Sequence, residues 1–196
     1  MPPQSQSKKS HHVCPWWLAY TFDNSLRRMV HPADKTLAPY VRPGMSVADI
    51  GCGFGHFTMG LARLVGPQGR VLAVDLQQKM LDKTMARLRK AGLADRAETT
   101  PCRAERLGLS GPLDFILAAN VVHETPDPAG FFAETAESLA PTGLLYVMEP
   151  SFHVPETQFQ AELDLAADAG FEIAERPTLT GERCIMLQLA NRKARS

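Results

Sequence analysis

Cysteine is sparse and scattered: the 196 residues carry four, at positions 14, 52, 102 and 184, with no C-x-x-C pair among them. Neither a disulfide framework nor a zinc site is indicated by that spacing. His11, His12 and Cys14 are the one grouping of soft donors, too little to define a site, and no metal is expected. Net charge is missing as well. The 21 basic residues are matched by 21 acidic ones, which removes any general pull toward nucleic acid or an anionic membrane. Lys8, Lys9, Arg192, Lys193 and Arg195 read as solvated ends rather than a binding patch. No apolar run reaches the roughly 20 residues of a membrane-spanning helix, and the polar start 1–10 is not a secretory signal. A cytoplasmic protein without a membrane span is the expectation.

What is present is enough apolar sequence, 44% of the chain, to bury the core of one domain of this length. The chain is organised around Val47-Ala48-Asp49-Ile50-Gly51-Cys52-Gly53-Phe54-Gly55. A β-prone run ends in an acid and three alternate glycines, and Phe57, Leu61, Leu64 and Val65 then repeat with helical spacing. The order is strand, tight turn, helix. Glycines let the backbone turn sharply and approach a ligand, and the helix start beyond them presents N–H groups. A dinucleotide fingerprint would read G-x-G-x-x-G. Here the spacing is G-x-G-x-G and His56 stands at the dinucleotide position, which disfavours NAD. A second buried strand, 70–75, ends in Asp75, at about the interval where a carboxylate meets a ribose in doubly wound nucleotide sites. The plainer reading of Asp75 is a helix cap.

Residues 1–12 are polar and patternless. The next stretch holds both tryptophans, and Trp16, Trp17, Tyr20 and Phe22 either seal one end of the core or cover the ligand. Short helical turns are expected over 24–30 and 33–38, so 1–40 is read as a tail with an aromatic lid, and 41–196 as the ligand-binding domain. A helix over 77–91 with Leu81, Met85 and Leu88 on one stripe stops at Gly92. Strands follow at 97–101 and 113–119. Asp127 caps a helix that has Pro128 as its first residue. Pro141-Thr142-Gly143 turns into a strand over 144–149, a helix covers 156–169, and strands at 171–175 and 184–190 close the chain. Alternating strands and helices predict a mainly parallel, doubly wound α/β sheet that binds ligands at the carboxyl ends of its strands. The last two strands have no helix between them and must pair as an antiparallel hairpin.

The motifs at 49–55, at Asp75 and over 120–127 resemble those of the class I S-adenosylmethionine-dependent methyltransferases across about residues 36–190. The resemblance implies a Rossmann-like, seven-stranded sheet of order 3-2-1-4-5-7-6. Asp49-Ile50-Gly51-Cys52-Gly53-Phe54-Gly55 and Val122-His123-Glu124-Thr125-Pro126-Asp127 are most similar to the small-molecule branch with the ubiquinone/menaquinone C-methyltransferases and arsenite methyltransferases. It implies that S-adenosylmethionine is the cofactor and S-adenosylhomocysteine the product. Asp49, Gly51, Cys52, Gly53 and Gly55 would flank its methionine and ribose, Asp75 with Leu76 beside it would meet the ribose, and Asn120 would lie by the methionine end. The chain departs from the family where an Asp-Ala pair usually stands near the adenine. It reads Arg103-Ala104, and a guanidinium cannot accept the adenine's amine hydrogen. Paired thiolates for arsenite chemistry have no counterpart.

If the acceptor arrives protonated, a base is needed. His123, Glu124, His153 and Glu149 are the candidates near the ends of strands four and five; an unperturbed imidazole suits the task. His123 also reads as a loop-ordering residue, and Glu149-Pro150 as a strand end with a solvated acid. Three functions follow: methyl transfer to a small, partly apolar acceptor, an NAD(P)-binding oxidoreductase, or a non-catalytic S-adenosylmethionine-binding domain. A homodimer stays open.

Overall fold

The structure, a computed structural model, describes residues 32–190. Trp16, Trp17, Tyr20 and Phe22, the expected helix over 24–30, and His11, His12 and Cys14 lie outside the described residues.

Seven strands form one sheet in the order β3-β2-β1-β4-β5-β7-β6. They are β1 (Ser46–Ile50), β2 (Arg70–Asp75), β3 (Ala97–Pro101), β4 (Leu113–Ala119), β5 (Leu139–Pro150), β6 (Phe171–Glu175) and β7 (Glu182–Leu189). The ladders joining β3, β2, β1, β4 and β5 are parallel, and β7 runs antiparallel to both β5 and β6. The expected hairpin places that strand between β5 and β6. The order reverses between β1 and β4, the point where doubly wound sheets open a crevice.

Helices α1 (Ala33–Leu37), α2 (His56–Leu64), α3 (Gln78–Lys90), α4 (Pro128–Ser138) and α5 (Glu156–Asp168) flank the sheet. The apolar strand residues alternate between two clusters. Val47, Val71, Phe115, Leu117, Tyr146 and Met186 meet α1, α2 and Leu88 of α3 on one face. Ile50, Val74, Ile116, Val147 and Ile185 meet Phe132 of α4 and Phe159, Leu163 and Ala166 of α5 on the other. Each leucine or isoleucine buried in this way stabilises the fold by about 2 kcal/mol. Asp127 caps α4, its carboxylate accepting from Gly130 N at 3.0 Å.

Residues 32–41 belong to this core. Ala33, Leu37 and Val41 are buried with α2, and the Tyr40 ring stacks on Phe115 at 6.4 Å. The described part of the segment assigned to the tail and lid is thus continuous with the domain.

Two other expectations change. The turn at 141–143 is absorbed into β5 as a bulge: the partner of Leu113 is Leu139, while that of Phe115 is Leu144. Gly143 permits it, because a Cβ there would lie 2.7 Å from Leu113 O. On α3 Thr84 is as fully buried as Leu88, whereas Met85 is only partly covered. Its hydroxyl has a buried partner, the carbonyl of Gly53, at 2.8 Å.

Candidate functional site

The carboxyl ends of β1, β2, β4 and β5 bring two sets of residues together. The first is the glycine turn between β1 and α2. Gly51, Gly53 and Gly55 all have positive φ, at 69°, 54° and 74°, but their missing side chains serve different ends. A Cβ on Gly51 would lie 2.9 Å from Val121 Cγ2, and one on Gly55 would lie 2.7 Å from Thr84 Cγ2. Those two glycines let the turn pack against β4 and α3. Among the described residues a Cβ on Gly53 would meet nothing within 4 Å, so Gly53 faces open space at the carboxyl end of β1. From α3, Thr84 holds the Gly53 carbonyl and Arg87 Nη1 donates to Phe54 O at 2.5 Å.

The turn's N–H groups are used internally. Gly51 and Cys52 donate to Val74 O at 2.8 and 3.0 Å, and Gly55 donates to Cys52 O at 2.8 Å. Gly53 donates to Asp75 Oδ2 at 2.9 Å, and Gln77 to Oδ1 at 2.9 Å. Each carboxylate oxygen keeps acceptor capacity. Burial pushes the Asp75 pKa up, against the pull of the backbone donors at Gln77 and Gly53. Asp49 lies deeper, its Oδ2 accepting from Thr58 Oγ1 at 2.5 Å. Burial, opposed by the Thr58 bond and reinforced by Asp75, raises its pKa to about 7.

This donor set decides between ligands. A pyrophosphate needs free N–H groups, and here four are engaged while two acids stand beside the turn. A ligand with hydroxyls and positive charge fits an acceptor-rich, anionic cradle. Leu76, 40% exposed, adds an apolar surface beside Asp75. Cys102 N donates to Asp75 O at 3.1 Å, placing the start of the 102–112 crossover at the same edge. Arg103 and Ala104 are exposed there, with the backbone of Arg103 bridged to Arg106. Cys52 is buried against Ala73 and Leu81, so it packs the turn from beneath.

The second set sits at the tips of β4 and β5. Asn120 is the only described non-glycine residue with positive φ, 57°, a strained geometry of the kind that gathers at functional sites. Its N–H donates to Met148 O at 2.7 Å. A short helical turn, Val122–Glu124, then carries His123 over Glu149. Glu149 is wholly buried, 0% exposed, which corrects the expectation of a solvated acid. Its Oε1 accepts from Val122 N at 2.9 Å and its Oε2 pairs with His123 Nδ1 in a short contact. Burial lowers the His123 pKa, but the Glu149 bond and charge outweigh it and the net shift is upward. Glu124 Oε1 lies 4.0 Å from His123 Nε2. The ring of His153 meets that of His123 edge-on at 5.2 Å, and Phe152 beside it is 81% exposed.

Val121 joins the two sets, since it packs on Gly51 and precedes the Val122 amide that Glu149 holds. Sequence reasoning passed over Val121, Thr84 and Phe152. An aromatic directly after the Glu149-Pro150-Ser151 strand end was the one signal available for Phe152.

A reversal-point crevice with a glycine turn, a strand-end aspartate and an acceptor-rich lining defines a nucleoside-cofactor-binding α/β domain. Known proteins narrow the class. The family described as "Methyltransferase domain" matches residues 47–143. A ubiquinone/menaquinone biosynthesis C-methyltransferase of Hahella chejuensis is 34% identical over 110 residues, 56% of this chain and 44% of the relative. Nocamycin O-methyltransferase of Saccharothrix syringae is 28% identical over 135 residues, 68% of this chain and 48% of the relative. The matched stretch thus spans less than half the length of these curated relatives. The crystal structure of an S-adenosylmethionine-dependent methyltransferase from Aquifex aeolicus shares the fold, with TM-score 0.77 at 22% identity over 89% of this chain and 97% of that one. Residues 47–143 thus match a methyltransferase domain, the chain has the fold of the S-adenosylmethionine-dependent methyltransferases, and S-adenosylmethionine is the cofactor of that class. Among the described residues no helix is long and apolar enough to cross a membrane.

Two predictions arise here. Asp75→Ala should weaken S-adenosylhomocysteine binding by roughly 1.5–3 kcal/mol, the range for losing bonds to a charged acceptor; calorimetry showing unchanged affinity in the folded variant would remove Asp75 from the site. Asp49→Asn tests the buried acid. The folded pKa of Asp49 exceeds its ordinary 3.8, so the neutral carboxyl is favoured on folding. The associated stability is present below about pH 4 and lost as pH rises through about 7. The variant should be about 1–3 kcal/mol more stable than the parent at pH 8, with the gap closing below pH 4 in denaturant titrations.

Proposed function

We propose that this protein transfers a methyl group to a small, partly apolar acceptor that arrives with its proton. The observation that carries this reading is the His123–Glu149 pair beside the glycine cradle. Bound S-adenosylmethionine supplies a sulfonium methyl open to in-line displacement. The chain's residues do the rest by binding, aligning and moving one proton. Asp75, Leu76 and the open face at Gly53 hold the nucleoside end, while Asp49, Asn120 and the turn form the methionine end. The backbone around Ala104 borders the adenine side.

Glu149 accepts a hydrogen bond from the Nδ1–H of His123, which leaves the lone pair on Nε2 directed away from the buried carboxylate. That nitrogen would take the acceptor's proton while the acceptor's electron pair bonds the methyl carbon and the carbon–sulfur bond breaks, its electron pair leaving on the sulfur of S-adenosylhomocysteine. The imidazolium so formed is stabilised by Glu149, the pattern of a base oriented by a third group. Glu124, at the edge of Nε2, is a second polar contact for the acceptor. Phe152 and the exposed ring of His153 offer apolar and aromatic surface on the acceptor's side, which supports a partly apolar substrate.

The test is a screen of small hydroxyl, amine and acidic C–H compounds, read by formation of S-adenosylhomocysteine. Turnover with at least one acceptor class, lost in His123→Ala, is the expected result. Cofactor binding without turnover across the screen would favour a non-catalytic binding domain.

A further inference from the structure

The apolar stripe of α5 contains one acid. Phe159, Glu162, Leu163 and Ala166 are all buried on the face packed against the sheet, and Glu162 is only 4% exposed. Its Oε1 has a long bond from Gln158 Nε2 at 3.4 Å, and among the described residues its Oε2 is buried with no hydrogen-bond partner. An unpaired carboxyl on a core-facing stripe is destabilising. Leucine or methionine would fill that position at no such cost. Such a group is a functional candidate when it stands beside a site: its neighbours Phe159 and Leu163 share one buried cluster with Val122 and Val154, which adjoin His123 and His153, and with Val147 of β5, and its charge raises the His123 pKa.

We propose that Glu162 is a positioning residue of the site: from α5 its buried charge reinforces that of Glu149 and makes His123 a stronger base toward a protonated acceptor. This rests on the reading of His123 as the base. The other groups facing the cluster are accounted for. Glu149 on β5 is bonded to His123 and to Val122 N. Glu124 borders His123 Nε2, and His153 on the loop after β5 meets the His123 ring. Arg183 on β7 lies opposite Glu149 in the ladder but pairs with Glu156 at 3.3 Å. The positive charge that acts on Glu162 is the one His123 acquires. Burial, with Glu149 adding to it, raises the Glu162 pKa to about 7, against the Gln158 bond and His123. Glu162 and His123 then titrate as a coupled pair.

Glu162→Gln keeps the shape and removes the charge. The ring protons of His123, followed by NMR in the protein without cofactor or acceptor, should titrate roughly 0.5–1 pH unit lower than in the parent. The acid limb of kcat/KM should move in the same direction. Removing a buried acid should also raise the unfolding midpoint at pH 8.5 by about 2–5 °C, with the gain fading toward pH 5. Glu162→Met should give the same stabilisation and the same shift, and Glu162→Asp should restore the parent titration in part. An unmoved His123 titration in folded Glu162→Gln overturns the proposal, as does a failure of both Glu162→Gln and Glu162→Met to fold, which would make the acid structural. The NMR titration needs no turnover. A shifted titration without activity in the acceptor screen would leave this coupling standing while the catalytic reading failed.

Discussion

Gly53→Val should lose S-adenosylmethionine affinity by about a hundredfold or more, ~2.8 kcal/mol, while remaining folded. Of the three glycines in the turn, Gly53 alone has open space where its side chain would be. A valine there projects two methyl groups into the crevice mouth beside Asp75, whose carboxylate the Gly53 amide itself holds at 2.9 Å. The backbone φ of 54° adds a strain of roughly 1–2 kcal/mol for a side chain with a Cβ, so some stability is lost as well. Gly44→Val separates the two effects. Gly44 has φ 88° and open space around its missing Cβ, but it sits in the turn before β1, away from the strand ends. It should show a similar loss of stability with cofactor affinity unchanged. Calorimetric titration of both variants with S-adenosylmethionine makes the comparison, and parent-like binding by Gly53→Val would mean that the open face is solvent only.

The second large effect is expected at Glu149. Glu149→Gln should lower kcat by about two to four orders of magnitude and leave cofactor affinity within tenfold. An ionised Glu149 only accepts, so it fixes the proton on His123 Nδ1 and leaves Nε2 as the basic nitrogen. A glutamine amide can donate to Nδ1 instead, which puts the proton on Nε2 and removes the base. The same change takes away the charge that raises the His123 pKa. Truncation to alanine is a different experiment: Val122 N and His123 would lose a buried partner, and the fold should be destabilised by about 3–5 kcal/mol. Single-turnover rates with saturating cofactor check the first variant, and a rate equal to the parent's would show that His123 only orders the loop.

Much of this architecture was legible beforehand because it rests on local periodicity. Strands 70–75 and 113–119 fall where continuous apolar runs put them. Asp127 and Pro128 start their helix as capping chemistry requires. The terminal hairpin follows from two strands with no room for a crossover. The misread places share a cause. Glu149 before a proline has the local pattern of a solvated strand end, and the 122–124 turn packs over it. Thr84 reads as a polar interruption of the Leu81–Leu88 stripe, yet the Gly53 carbonyl across the interface makes it a core residue. Glu162 is invisible for the same reason.

The sequence by itself determined the strand–turn–helix unit and the acid that ends the second strand, because those depend on residue types at fixed short spacings, and the class of cofactor followed from the family that those residues resemble. Tertiary structure decided which glycine has open space beside it among the described residues and which two face Val121 and Thr84. It also decided that a histidine from one strand end stands on a buried carboxylate from another. Contacts of that kind join residues 26 or more positions apart, as His123 and Glu149 are, and no local pattern encodes the burial that gives them their chemistry.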